Sequence, residues 1–597
     1  MALARLRAVS LNRFGFYTKW SFGCGSDGNV LVHGEFGSAD NASILISGGS
    51  VISDGPEHLG WEYYMGNLTL SDGLFKVTNN SILFNQYSTT NVSGGIIRCG
   101  RAFHASYGDA PGVFAPTGGV VEFIGNPGIY YIYCPAGNNF YDLRLNSYGC
   151  TMSFHDSPDV LVLNDVILDG GFLKPGNISN SIIRVGGDWL ENDFGFSASS
   201  GTVSFFGLNP SQITGDSYFF NLDIDKIYTG ANGVNIGDGQ YITVLNNLNC
   251  NAGGLSLGNS TLNINNDLTI QLDAIFEVQS SKTAAINVKG NWTNGNTANT
   301  STTGFSPGMS TVAFNGSSDQ FLVSNATMES FYEFALYNGP NGLYNYTDFE
   351  CLGDFHAYSG NMVDDYGDTS NGHNFWSDFI IEENANVDFG SHILGFFGSN
   401  DATFWDVSGN SFNSSNYGAT IYIDKDGPST LFNFTGDNAA GLNIGSTIIV
   451  NQGYVTPPVS LTALGGIVVN GGTFHVGAQK ELKIDGLIEV NAGGLIEVMG
   501  SSLYPAVVKN TVSGAYSFDV NNGGSMRAEN AVFQGMELNG IHIQNGAIID
   551  PALCFSNCTF QDFINPDASS AFLTIDNNQS LSISEFLFLI IAVPHII

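Results

Sequence analysis

Apolar residues in this chain fall on alternate positions over short windows. From Thr261 to Leu272, for instance, Leu262, Ile264, Leu268, Ile270 and Leu272 share one parity. A period of two is that of a half-buried β-strand, whose side chains alternate across the sheet. Asp72-Gly73, Gly94-Gly95, Asp169-Gly170, Gly253-Gly254, Gly471-Gly472, Gly523-Gly524 and Asn545-Gly546 punctuate such windows, and pairs of this kind mark tight turns. Apart from the N-terminal stretch, a helical period is nearly absent. The pattern predicts an all-β chain of many short strands.

A three-part phrase recurs on top of this alternation. Its first part reads Ile96-Ile97-Arg98-Cys99-Gly100, then Ile182-Ile183-Arg184-Val185-Gly186, then Ala285-Ile286-Asn287-Val288-Lys289. An aromatic follows at the same offset each time: Phe103, Trp189 and Trp292. The second part runs from Phe114 through Phe123 to Gly125, from Phe196 through Phe205 to Gly207, and from Phe305 through Phe314 to Gly316. The third is Phe140-Tyr141-Asp142-Leu143-Arg144-Leu145, then Phe219-Phe220-Asn221-Leu222-Asp223-Ile224, then Phe331-Tyr332-Glu333-Phe334-Ala335-Leu336. Constant phrases with variable loops between them are the mark of a stacked repeat protein.

Toward the C-terminus the texture is finer. Gly486-Leu487-Ile488-Glu489-Val490 returns as Gly494-Leu495-Ile496-Glu497-Val498, and Asn530-Ala531-Val532-Phe533-Gln534 as Asn557-Cys558-Thr559-Phe560-Gln561. Short strands returning every 20 to 30 residues fit the turns of a right-handed parallel β-helix, in which each inward residue stacks on its equivalent one turn away. Asn530 and Asn557 would then form a ladder at a turn, and Phe533 and Phe560 a stack inside. A row of β-sandwiches is the competing architecture, but it calls for domains of about 100 residues with hairpin turns. The fold class expected is therefore an all-β parallel β-helix, or β-solenoid, of degenerate repeats. Its regions are 1–60 (cap or remnant), 61–340 (three copies) and 341–460 (a decayed repeat or irregular β region, the repeat spanning about 341–430 and ending on Phe404-Trp405-Asp406-Val407). Residues 461–580 supply short rungs, and 581–597 an apolar tail.

Composition narrows the function classes. With 18 basic against 54 acidic residues the formal charge is −36, which repels phosphate backbones and anionic membranes, so neither nucleic acid nor membrane insertion is expected. The stretch Phe586 to Ile597 is apolar but only 12 residues long and broken by Pro594, too short to span a bilayer. No secretory leader stands out near Met1, where Arg5, Arg7 and Arg13 interrupt the sequence, and both ends look truncated. Of the eight cysteines, Cys99 holds a slot filled elsewhere by Val185 and Val288, the place of a small core residue. Cys554 and Cys558 lack the second ligand pair of a zinc site, and a disulfide is left open.

The repeated phrases resemble the Gly/Asn-rich repeat proteins secreted by Bacteroidetes-like bacteria. Gly290-Asn291-Trp292, Phe305 to Gly316 and Phe331-Tyr332-Glu333-Phe334 are the closest matches to their phrases. The C-terminal third is similar to the parallel β-helices shared by pectate lyases and adhesins. The resemblance implies a large, exported, extracellular or cell-surface protein; it carries no chemistry of its own.

Candidate chemistry is sparse. The densest acidic group is Asp364-Asp365 with Asp368, near His356 and His373, where carboxylate oxygens could hold Ca2+; a solvated loop is the preferred reading. Asp424-Lys425-Asp426-Gly427 fails the calcium-loop pattern and reads as a turn. Asp142 and Arg144 become Asn221 with Asp223, and Glu333 with Ala335, a variation that fits a solvent face. His104, His155 and His475 look isolated, and sequons such as Asn67-Leu68-Thr69 mean little in a chain this rich in Asn, Ser and Thr. No catalytic, cofactor-binding or metal-binding residue is assigned. Tyr63-Tyr64, Tyr130-Tyr131 and Phe375-Trp376 could stack on sugar rings if exposed. The expectation is a secreted or surface-attached structural or adhesive solenoid, with glycans, matrix or a cell surface as partners. A polysaccharide lyase or glycoside hydrolase on the same fold is the alternative, and it would need three or more carboxylates and a base on adjacent turns.

Overall fold

Each alternating window becomes a strand that pairs in parallel with the strands one turn before and after it. In the computed structural model the chain is all-β, a β-solenoid of about 21 turns, with no helix among the described residues. Described are residues 3–5, 8–11, 14–16, 21–25, 28–32, 36–38, 43–54, 63–107, 112–176, 180–193, 195–227, 233–364, 372–408, 420–436, 442–511, 514–564, 570–576 and 587–589. Two units divide the chain, Met1–Ser310 and Thr311–Ile597.

In the first unit the parts of the repeated phrase prove to be successive turns. Ile97 pairs with Val121 and Val121 with Leu143, while Cys99, Phe123 and Leu145 form the parallel file beside them. The second copy repeats this with Ile183, Val203 and Leu222, and with Val185, Phe205 and Ile224. The offsets are constant because each bulky residue must land on its neighbour in the core. The conserved aromatics close the interior. Phe103 meets Phe114 edge-on at 5.1 Å and lies 5.7 Å from Phe140; Trp189 meets Phe196 edge-on at 4.9 Å and Phe219 at 5.4 Å. Trp292 against Phe305, at 4.8 Å and 80°, is the third instance. All eight cysteines are buried and free, Cys99 in the core as its slot implied.

The Asp/Asn position of the third phrase, and of Gly-Asp-Trp and Gly-Asn-Trp, forms a ladder at the turns. Asp142 Oδ1 accepts the Asp165 N–H at 3.1 Å, Asp165 Oδ1 that of Asp188 at 2.8 Å, and Asp188 Oδ1 that of Gln212 at 2.8 Å. A second file runs through Asn221, Asn247, Asp267 and Asn291, with N···O distances of 3.3, 3.3 and 2.8 Å. Glycine precedes Asp188 and Asn291 for a steric reason. A Cβ on Gly290 would sit 2.6 Å from Asp267 Oδ1, and one on Gly187 would collide with Asp165 Oδ1. Asn530 and Asn557, the expected ladder residues, share left-handed φ of 49° and 53° at equivalent turns. Phe533 and Phe560 stack as expected, at 5.3 Å and 22°.

In the second unit two files dominate. One buried file runs from Phe331 through Cys351, Phe375, Phe396 and Ile423 to Val450, Val469 and Val490. The other is aromatic: Phe334, Phe355, Phe379, Phe404 and Phe434 pair in register. Their ring centroids are separated by 5.2, 4.7, 4.9 and 5.6 Å. The eight-residue echo of Leu487–Val490 in Leu495–Met499 marks two faces of one turn, since Ile488 pairs with Ile467 and Ile496 with Phe474.

Asp424-Lys425-Asp426-Gly427 is only partly a turn. Asp424 and Lys425 end the strand Thr420–Lys425, and Lys425 is fully buried with Nζ donating to Phe397 O at 2.6 Å. The same device stands in the first unit, also in an Ile-Asp-Lys triplet that follows a Phe-Phe-Gly one turn earlier. Lys226 Nζ lies 2.9 Å from Gly186 O, Phe206 O and Asn209 O, and 2.6 Å from Ser211 Oγ. In both units a buried ammonium thereby finds backbone carbonyl partners in place of water.

Candidate functional site

Asp364 is not part of a solvated loop. It ends the strand Phe355–Asp364, and its side chain is 1% exposed. Its carboxyl group gathers His373 Nε2 at 2.6 Å, His392 Nδ1 at 3.2 Å and Asn345 Nδ2 at 3.2 Å. The ring nitrogens' other partners fix the tautomers. His373 Nδ1 accepts the Phe349 N–H at 3.3 Å, so its proton sits on Nε2 and points at Asp364. His392 Nδ1 lies 2.9 Å from Phe389 O, so it too is protonated. The three ligand atoms lie within 4.8 Å of one another, a spacing open to a metal ion, yet both nitrogens nearest Asp364 are donors and a metal needs lone pairs. The arrangement is a buried proton-bearing staple across three turns. His356 is not part of it: it pairs with Glu382 at 3.1 Å and stacks on Tyr358. Asp365 and Asp368 lie outside the described residues.

The histidines that look isolated in sequence acquire partners from neighbouring turns. His104 stacks on Tyr133 at 4.1 Å, and burial together with nearby His155 pushes its pKa down to about 4. His475 Nδ1 meets Glu497 Oε2 at 3.0 Å, within a polar ladder that continues through Arg527 Nη1 on Glu497 Oε1 (2.9 Å) to Arg527 Nε on Asp550 Oδ2 (3.2 Å). A shallow pocket of about 320 Å³ beside it is lined by Gly494, Ser525, Arg527, Ile548 and Asp550. His475 and then Arg527 hold the Glu497 carboxyl below its usual range. Two carboxylates and a guanidinium that already pair with one another make a structural ladder.

Among the aromatic pairs, Phe375-Trp376 divides as strand alternation requires: Phe375 is core and Trp376 is 38% exposed. Trp376 reaches across Gly398 of the next turn, where a Cβ would come within 3.1 Å of its Cε3. The Phe397 ring likewise covers Gly395. Trp376, Phe397 and Tyr422, on three successive turns, have centroids 5.8 and 6.0 Å apart at tilts of 40° and 45°. Glycine beneath a ring lets it lie against the sheet and present its other face outward. Tyr131 is exposed, whereas Tyr130 carries Arg101 6.0 Å over its ring. Tyr63 and Tyr64 belong to the strand Tyr63–Val77, but their side chains lie outside those described.

Burial raises the carboxyl groups of Asp165, Glu191, Asp223, Asp388 and Asp406 above their ordinary range, with Asp188 and Asp142 adding repulsion at Asp165. A raised carboxyl binds protons more readily folded than unfolded, so its contribution is present below the ordinary value near 4 and lost as pH rises through the folded one. His542, raised chiefly by Asp576, works in the same direction. Asp238 and Glu497 are lowered, and their contributions fade only in more acidic solution. His104 works the other way: its lowered imidazole stays neutral where the unfolded one is charged, so its contribution grows as pH rises from about 4 toward the ordinary value near 6.5. Lys226, pushed down to about 8, adds stability from that pH upward. His104→Gln, which takes up no proton in either state, should therefore raise the Tm near pH 5 relative to that near pH 8 when compared with the parent, as followed by circular dichroism. An unchanged difference would contradict the burial of His104.

The fold and these sites define a β-solenoid scaffold protein with an outer aromatic track, exposed at Trp376 and half-buried at Phe397 and Tyr422. No protein-family model, curated protein or solved structure matches the chain.

Proposed function

We propose that this chain is a secreted or cell-surface scaffold, structural or adhesive in role, that binds glycans through its outer aromatic side chains. The observation that carries the reading is the Trp376–Phe397–Tyr422 track. Trp376 and Phe397 follow the paired residues Phe375 and Phe396, one turn apart at about 4.8 Å along the stack. Tyr422, in register with Gly395, continues the row two residues to the side, so a polymer of repeating sugars meets successive rings. Export is supported by the Gly- and Asn-rich, weakly charged composition and by the resemblance to secreted Gly/Asn-rich repeat proteins. Trp376→Ala should weaken binding to a glycan panel about tenfold, the equivalent of roughly 1.4 kcal/mol. A parent-like affinity in a variant with a parent-like circular dichroism spectrum would refute the track.

Among the described residues, the polysaccharide-cleaving alternative finds a pocket beside carboxylates at the Glu497–Arg527–Asp550 ladder. That ladder supplies two carboxylates, both bound to Arg527. Release of reducing or unsaturated ends from the same panel would favour this second reading.

A further inference from the structure

Resting on that glycan reading, we infer that the polymer held at the track carries free amino groups. The charge pattern around the three rings is one-sided. Asp378 follows Trp376 by two residues, Asp401 follows Phe397 by four, and Asp424 follows Tyr422 by two, with Asp426 beyond it. Asp401 and Asp426 are exposed, and Asp378 and Asp424 are partly so. Asp424 stands on the same outer face as Tyr422, two residues further along the strand Thr420–Lys425, which places a carboxylate near the last ring. The one lysine in this stretch, Lys425, is turned inward onto Phe397 O and offers nothing to a ligand.

The carboxylates are also held in place. Asp378 Oδ1 accepts the Thr403 N–H at 2.7 Å, and Asp401 Oδ1 accepts the Leu431 N–H at 2.8 Å. Each is thereby fixed relative to the turn that follows it. Fixed carboxylates two to four residues along the chain from the aromatic rings match a sugar that presents an apolar ring face and an ammonium group. A uronate polymer would set its own carboxylates against this edge, and a neutral sugar would leave the edge unused.

The test uses the full chain and three oligosaccharides of equal length: a fully deacetylated glucosamine oligomer, its N-acetylated counterpart and oligogalacturonate. Affinities are measured at low and high salt, at a pH where the amine is protonated. The amino oligomer should bind about tenfold tighter than the acetylated one at low salt, with the advantage shrinking as salt rises. Trp376→Ala should abolish most of that binding. Asp401→Asn, which keeps an oxygen for the Leu431 N–H, should remove the amino preference alone. Equal or tighter binding of the acetylated or galacturonate oligomer, still lost in Trp376→Ala, would overturn the inference and leave the glycan reading intact. Amino-oligomer binding that neither substitution changes is diffuse attraction to a chain of charge −36, and it overturns the inference too. Absence of binding by all three removes both.

Discussion

Replacing Phe379 by aspartate should unfold the turns around it and lower stability by about 5 kcal/mol or more. Phe379 is fully buried and sits in the middle of the aromatic file, stacked on Phe355 at 4.7 Å and 9° and on Phe404 at 4.9 Å and 25°. It also meets Phe375 edge-on at 4.9 Å, from the other buried file. Truncating a buried Phe costs about 3–5 kcal/mol through lost transfer energy and the remaining cavity. An aspartate there adds an unpaired charge in an apolar interior, several kcal/mol more. Phe379→Leu keeps most of the volume and should cost about 1.5 kcal/mol, mainly through the two lost ring stacks. Urea unfolding of both variants, with hydrogen exchange to localise the loss, tests this. An aspartate variant that melts like its parent would mean that Phe379 does not face the core.

The second large effect should come from Asp364→Ala. The substitution removes the acceptor shared by His373, His392 and Asn345. His392 Nδ1 keeps Phe389 O and Asn345 Nδ2 keeps Thr347 O, so the His373 Nε2–H is the donor left stranded. Losing three hydrogen bonds to a buried carboxyl, with one donor left unsatisfied, costs about 3–5 kcal/mol. Asp364→Asn keeps one acceptor oxygen but turns an NH2 toward the imidazole protons, and should cost less, about 1–3 kcal/mol. Because the nitrogens nearest Asp364 carry protons, a chelator should leave the parent's melting temperature unchanged, and added Zn2+ should not rescue the alanine variant. Parent-like stability of Asp364→Ala would show that the staple is dispensable. A chelator-induced drop in Tm would mean that the protons give way to a metal.

The parts of this fold that show in the sequence are those where one residue dictates the next turn's residue at a constant loop length. Phe123, Phe205 and Phe314 sit at fixed offsets because each must fill the same gap, so the repeat was visible. The Phe334–Phe434 file obeys the same packing rule, but the loops between its members vary: the residues stand 21, 24, 25 and 30 apart, and no fixed period reveals them. Asp364 misleads for another reason. Its local sequence is polar, and the groups that bury it come from other turns at positions 345, 373 and 392, a convergence that only the winding creates. The Trp376 site was half legible: an aromatic pair was evident, and strand alternation assigns Phe375 inside and Trp376 outside. The flat seat on Gly398 depends on register with the following turn, which sequence spacing did not give. Lys425 likewise looked like a turn residue because inward-pointing lysines are rare, and only its carbonyl partner explains it.

The aspartate file from Asp142 to Gln212 has a direction. At each step the side-chain oxygen belongs to the earlier turn and the N–H to the later one. A turn can therefore be complete at its own acceptor before its successor exists, but the successor's N–H has no such partner until its predecessor is in place. The order in which these turns can close is the order in which a ribosome delivers them. A cut that removes an early turn takes away the template for the next, whereas a cut that removes a late one leaves the template standing.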